Sequence, residues 1–434
     1  MKTILKNAKR LLATGETEIC DILIEGKKIK QIAASIPAEA DNMIDCKENL
    51  IVPGFIDVHI HLREPGGEHK ETITSGTKAA ARGGFTTVCA MPNTNPVPDH
   101  VSTVEALLEK INQHAVVRVI PYAAITNHLQ GETLTNIPEI ADKGVFAFTD
   151  DGVGIQSADL MLQAMKQAAA CNMPIIAHCE DNSIVYGGVV HDGKVSEKLG
   201  LPGIPSVSES IQIARDALLA EKAGCHYHVC HVSTKESVRI IRDAKRAGIH
   251  ITAEVTPHHL LLNEEAITQD DANLKMNPPL RAKEDQKALL EGLLDGTIDF
   301  IATDHAPHAK DEKETGFRTS PFGIVGLETA FSLLYTNLVK AEQMTLKQLV
   351  DWLTIKPAQV FDLPYGILEE NAVADITLIN LEKETVIDKE SFQSKGKNTP
   401  FHNWEVKGLP ILTLVEGRIA YQEDIHEKPT SKIR

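Results

Sequence analysis

The sequence predicts an α/β fold: a (β/α)8 TIM barrel with a small composite β-sandwich domain formed by both termini. Three observations lead there. Eight short runs rich in Val, Ile, Phe and Thr alternate with longer amphipathic stretches, the pattern of strand-helix units around a parallel sheet. Histidines and aspartates gather at the ends of those runs. Two passages near the chain ends echo one another as strand, glycine turn, strand.

The chain has 434 residues, more than the roughly 250 typical of one barrel, which leaves room for an appendage. The expected divisions are residues 1–52 for the N-terminal part of the sandwich, 53–363 for the barrel and 364–434 for the C-terminal part. "DILIEGKKIKQI" (21–32) and "LTLVEGRIAYQ" (412–422) each read as a hairpin, and "ADITLIN" (374–380) supplies a further strand. The barrel runs are 51–60, 86–92, 116–125, 144–150, 174–180, 226–233, 250–257 and 300–307. Between them, 208–224 and 234–248 carry helical spacing and end in Gly, a common helix stop. A doubly wound open sheet is the alternative, but no G-x-G-x-x-G follows the first run.

A formal charge of −16 argues against a nucleic-acid footprint and for a small-molecule partner. No apolar run reaches the roughly 20 residues of a membrane span. Lys2, Lys6, Lys9 and Arg10 interrupt the first twenty residues, so no signal-peptide core is present and a cytoplasmic protein is expected. The seven cysteines are scattered, with no C-x-x-C pair, and are expected as reduced thiols. Cys179 and Cys230 adjoin histidines, yet alternation along a strand turns them away as core filler.

In a barrel, function collects at the C-terminal ends of the strands, where the loops share one mouth. His59 and His61 end the first run, Asp150 and Asp151 the fourth, His178 the fifth, His231 the sixth, and Asp304 with His305 the eighth. Residues i and i+2 of a strand share a face, so His59 and His61 point together into the mouth, a geometry suited to a divalent ion. Four histidines and two or more carboxylates exceed what one tetrahedral zinc needs, whereas two ions can share a bridging carboxylate and hydroxide. With no thiolate among the ligands, a hydrolytic centre with open coordination is preferred over a structural zinc. As structural residues, Asp150 and Asp151 would instead cap a helix or shape a turn.

The H-x-H on the first strand, the later single histidines, "ATDHAPH" (302–308) and the split β domain resemble the amidohydrolase superfamily. Within it, "DVHIHLREPG", "AMPNTNP", "NPPLR", "ATDHAPH" and "SPFGIVGLE" are similar to class I dihydroorotases of the bacterial pyrimidine pathway, and the resemblance spans essentially the whole chain. It implies reversible hydrolysis of L-dihydroorotate to N-carbamoyl-L-aspartate in de novo pyrimidine (UMP) biosynthesis. It also implies two Zn²⁺ per subunit: His59, His61 and Asp304 on one, His178 and His231 on the other, with Asp151 and a hydroxide bridging.

One departure stands out. Many relatives bridge their metals with a carboxylated lysine at the end of strand four, where "GVFAFTDDGVG" offers Asp150 and Asp151, and Lys143 begins the run at its opposite end. Some dihydroorotases bridge with aspartate, and Asp151 is assigned that place. Gly152 and Gly154 would let the backbone approach to meet the shorter reach.

Asp304 is expected as the catalytic acid-base group, and Arg63, just beyond His61, as the fork that takes the substrate carboxylate. The resemblance adds His61, Asn93 and His308 to the substrate contacts, with Asn277 and the backbone of Phe322 and Gly323 on the ring amide. Arg63 beside Glu64 could equally form a surface salt bridge, and Asn93 and Asn277 are also turn formers. Residues 310–320 read as a lid over the mouth or as a solvated loop. His258 and His259 are expected as supporting residues. Homodimer formation and association with aspartate transcarbamoylase are further expectations, with no interface legible.

Two competing readings remain. An allantoinase or dihydropyrimidinase would share metals and barrel, but its uncharged ring would leave Arg63, Asn93 and His308 without an anion. A non-catalytic scaffold for aspartate transcarbamoylase would be expected to have lost metal ligands, which are all present.

Overall fold

The first expected barrel run is divided in the computed structural model, which describes residues 1–423; the end of the 364–434 segment, 424–434, lies outside the described residues. Leu50–Pro53 belongs to the terminal sheet, and Phe55–Ile60 is the first barrel strand. Gly54 makes the crossing, where a Cβ would lie 2.2 Å from the Thr86 side chain. Only glycine lets the two layers approach so closely.

Phe55–Ile60 pairs in parallel with Phe85–Ala90, which pairs with Arg118–Pro121. A second parallel group contains Ile175–Ala177, Tyr227–Val229, Ile251–Val255 and Phe300–Ile301. The groups join through 144–150, where Phe148 bridges Ala123 on one side and Ile175 on the other. They close where Ile60 bridges His305. The fourth run is thus held by isolated bridges instead of a regular strand, because the chain turns out of the wall at Gly152 and Gly154, with φ of +83° and +63°. The helices Val207–Ala223 and Lys235–Arg246 lie where the spacing places them. Gly224 ends the first at φ +66°, and the Thr234 side chain caps the second by accepting from Ser237 N–H.

Both terminal hairpins form, Thr17–Glu25 with Lys28–Ala33 and Glu405–Val415 with Arg418–Gln422. Together with Lys2–Leu11, Asn42–Asp45, Leu50–Pro53 and Ile376–Val386 they make one mixed eight-stranded sheet. Its central joint is Leu50–Pro53 against Ile376–Val386, an antiparallel pairing between the two ends of the chain. Residues 371–374 bond back to 27–29, turning the sheet over a core that includes Leu5, Ile22, Ile51, Ile376 and Leu412.

Phe331 lies between this sheet and the barrel: a Cβ added at Gly408 of Glu405–Val415 would lie 3.2 Å from its ring. It is buried, stacks on Phe55 at 5.4 Å and packs on Tyr335 at 5.8 Å. Phe331→Ala is expected to cost about 3–5 kcal/mol, seen as a lowered Tm in scanning calorimetry.

All seven cysteines are free thiols, six of them buried. No helix among the described residues is long and apolar enough to cross a membrane.

Candidate metal centre and active site

The strand ends bring His59, His61, Asp151, His178, His231 and Asp304 together, all buried. Their donor atoms fall into overlapping groups: His59, His61 and Asp151; Asp151, His178 and His231; His59, His231 and Asp304. Asp151 is shared by the group holding the H-x-H pair and the group holding the two later histidines. Three of the residues around the mouth, Arg63, His231 and Asp304, take positive φ (60°, 29° and 48°), backbone strain of the kind that concentrates at working sites.

The hydrogen bonds set the ring orientations. His59 Nδ1–H donates to Glu254 Oε1 at 2.6 Å and His61 Nδ1–H to Asn93 Oδ1 at 2.8 Å. Each ring then turns an Nε2 lone pair toward carboxylates: His59 Nε2 lies 3.5 Å from Asp151 and 3.4 Å from Asp304, and His61 Nε2 lies 3.1 Å from Asp304. His178 Nδ1 faces His231 Nε2 at 3.0 Å. Lone pairs facing carboxylates, and two ring nitrogens face to face, call for a proton or a cation between them. His59 Nε2, Asp151 Oδ1 and His231 Nδ1 are buried without a hydrogen-bond partner, an arrangement that a metal ion would satisfy. The residues fit a divalent metal centre of nitrogen and oxygen donors.

The electrostatics agree. Burial alone would lower the His59 pKa, yet Asp304, Glu254 and Asp151 around it hold it well above the ordinary value. Burial would raise Asp151 and Asp304, but neighbouring imidazoles, His59 foremost, hold both below the usual carboxylate range.

Asp150 and Asp151 separate cleanly. The Asp150 carboxylate turns away, accepting from Ile125 N–H at 2.8 Å, from Thr126 N–H at 3.0 Å and from the Thr126 hydroxyl. It ties the third strand's loop to the fourth run, and burial pushes its pKa up to about 6. His305 is likewise occupied with Glu71 and Gly326 N–H.

Arg63 is half-buried and makes no salt bridge with Glu64, whose carboxylate instead accepts from Ile73 N–H and faces Lys110. The guanidinium donates to Pro307 O at 3.3 Å and meets His308 Nε2 at 3.4 Å. Among the described residues it has no carboxylate within salt-bridge distance. Asn93 joins the donors, its Nδ2 donating to Asp151 Oδ2 at 3.1 Å. Asn277 Nδ2 donates to Glu180 Oε2 at 3.0 Å and lies 3.4 Å from His178 Nε2. His308 Nε2–H donates to Phe322 O at 2.8 Å, and Gly323 N–H to Lys275 O at 3.0 Å. Engaging a ring amide at these backbone groups would therefore exchange existing hydrogen bonds. Gly323 is at φ +137°, and a Cβ there would lie 2.8 Å from Ala306 Cβ.

The 310–320 segment is folded: it forms the short helices Lys310–Lys313 and Gly316–Thr319 and buries Phe317. Lys275 Nζ and Lys313 Nζ reach into it and its flank, donating to the carbonyls of Phe317, Ser320, Pro321 and Gly323. His259 is structural, bonded to Thr256 and to Pro278 O, while His258 is buried with Nε2 unpartnered.

One expectation needs amendment, and one residue was missed. Cys230 is core filler as expected, packed in a buried cluster with Val58, Met91 and Tyr122, but its sulfur also lies in a group with His59 and Glu254. Burial pushes its thiol up to about 12, so it stays protonated. Glu254 joins the site without having stood out in the sequence; its signal is a carboxylate at an inward position of the apolar run "ITAEV".

Comparison with known proteins gives the family. A model described as Dihydro-orotase-like matches residues 48–237. Dihydroorotases of Listeria monocytogenes serovar 1/2a and Staphylococcus epidermidis are each 62% identical to this chain, covering 97% of it and 99% of their own length. The chain belongs to the dihydroorotase family. Dihydroorotases are enzymes of the cyclic amidohydrolase class, and the candidate ligand groups accord with the metal centre that membership implies. Solved structures similar to this dihydroorotase chain include an L-hydantoinase (dihydropyrimidinase) from Arthrobacter aurescens, with TM-score 0.87 and 26% identity over 97% of this chain and 96% of the other. A D-hydantoinase (dihydropyrimidinase) from Thermus sp. gives 0.84 and 26% over 97% and 95%.

Proposed function

We propose that the barrel, residues 53–363, interconverts L-dihydroorotate and N-carbamoyl-L-aspartate, with 1–52 and the described part of 364–434, up to residue 423, building the sheet that supports it. The observation that carries the reading is Arg63, a half-buried cation with no carboxylate partner among the described residues, placed two residues beyond a metal-binding histidine. An anionic ring supplies the missing partner.

His59, His61 and Asp304 would hold one zinc ion and His178 and His231 a second, with Asp151 between them. When bound, such ions lower the pKa of water and polarise an amide carbonyl. The chain's own residues do the rest. Arg63, Asn93 and His308 hold the substrate carboxylate, and Asn277 with the backbone at Phe322 and Gly323 orients the ring amide. Asp304, kept ionised by His59 and His61, accepts the attacking water's proton and delivers it to the ring nitrogen as the amide bond breaks. Ring closure reverses these transfers. The reading takes the enzyme to be cytoplasmic and homodimeric; gel filtration with aspartate transcarbamoylase tests for a stable complex.

The deciding assay follows ultraviolet absorbance as zinc-loaded protein acts on L-dihydroorotate, dihydrouracil and allantoin in parallel. Turnover of dihydroorotate alone is expected. Turnover of the uncharged rings, or of none despite bound zinc, would overturn the reading. Arg63→Ala is expected to lower kcat/KM roughly 10- to 100-fold, mainly through KM, as for loss of hydrogen bonds to a charged group. Unchanged kinetics would remove Arg63 from the carboxylate site.

A further inference from the structure

Behind the metal-binding histidines, a file of hydrogen bonds descends through the barrel interior. Glu254 is buried beneath the centre, and its carboxylate accepts from His59 Nδ1–H at 2.6 Å, from His228 Nε2–H at 3.2 Å and from His231 N–H at 3.4 Å. One side chain thus touches a ligand from each of the two proposed metal positions. His228 Nδ1 lies 2.8 Å from Thr252 Oγ1, which lies 2.8 Å from His226 Nε2. His228 lies on Tyr227–Val229, with His226 just before that strand, and Thr252 and Glu254 lie on the neighbouring Ile251–Val255, where His228 pairs with Thr252 in register.

The direction of every bond in the file follows from one fact: a carboxylate only accepts. His228 must present Nε2–H to Glu254, so its Nδ1 is the acceptor and takes the single Thr252 hydroxyl proton. That hydroxyl oxygen then accepts from His226 Nε2–H. Each member fixes the tautomer of the next, and at the top Glu254 fixes His59 with its proton on Nδ1 and its Nε2 free for a metal. The ring of His228 stacks on Phe300 at 5.2 Å and 2°, so it cannot rotate to compensate for a lost partner without disturbing the core.

We propose that Glu254 is a positioning residue for the metal centre, and that His228 and Thr252 extend this function to a side chain that touches no metal-binding residue. The inference rests on the metal reading above. Glu254 acts on both proposed metal positions at once, through the His59 ring and through the backbone of His231. Thr252 acts only through the tautomer of His228: without its hydroxyl, His228 can carry the proton on Nδ1 and turn a lone pair against Glu254.

The test is zinc affinity of apoprotein, measured by competition with a chromogenic chelator, beside a thermal melt of each apoprotein. Wild-type protein is expected to bind two zinc ions. Glu254→Gln is expected to weaken binding about 10- to 100-fold, the usual cost of removing a group that orients a metal-binding histidine. Thr252→Val should weaken it less but in the same direction, and Thr252→Ser should restore it. If Glu254→Gln fails to fold, the Thr252 pair decides. Folded variants that bind zinc as tightly as wild type would overturn the inference and leave the metal reading standing. A wild-type protein that binds no zinc would overturn the metal reading itself.

Discussion

Asp304→Asn is expected to reduce kcat by about 10²–10⁴-fold, the range over which a positioned acid-base group acts, with a much smaller change in KM. Asparagine keeps the shape and an oxygen donor but cannot take up a proton. The wild-type carboxylate is buried and lies 3.1 Å from His61 Nε2; burial would raise its pKa, but neighbouring imidazoles, His59 foremost, hold it below the usual carboxylate range. Because Asp304 also belongs to a candidate ligand group, zinc content must be measured beside the kinetics. A variant with full zinc and near wild-type kcat would remove Asp304 from the proton transfers.

Chelation is expected to abolish turnover, and zinc added in CO₂-depleted buffer to restore it fully. The recovery distinguishes the bridging groups. A lysine carbamate must be remade from CO₂, whereas an aspartate carboxylate needs none. Lys143 lies at the other end of its segment, paired with Glu105 at 3.0 Å. Recovery only after bicarbonate is added would exclude Asp151 as the sole bridge.

The barrel, and the gathering of His59, His61, Asp151, His178, His231 and Asp304 at its mouth, were legible because period and position carry them. Alternating apolar runs mark strands, and polar residues at their ends mark the mouth. What escaped the sequence depended on close approach. The run 51–60 looks uniform, and only the Thr86 side chain against Gly54 shows that it serves two layers. Asp151 was chosen over Asp150 from the sequence, but what holds Asp150 away from the centre was not legible there: the N–H groups of Ile125 and Thr126, some twenty-five residues earlier. The residues around 310–320 read as polar loop because the buried lysines that hold them bond to backbone carbonyls, which leave no side-chain signature.

The pairing of Leu50–Pro53 with Ile376–Val386 has a consequence for biosynthesis. A ribosome releases the first strand long before its partner; at about 5–20 residues per second, the delay is roughly 15–65 s. Throughout that interval one edge of the nascent sheet offers unsatisfied N–H and C=O groups to any other extended chain. A product ending before residue 376 would carry that open edge for its whole lifetime, so premature termination should send this protein to aggregates or proteases even where the barrel has been fully made.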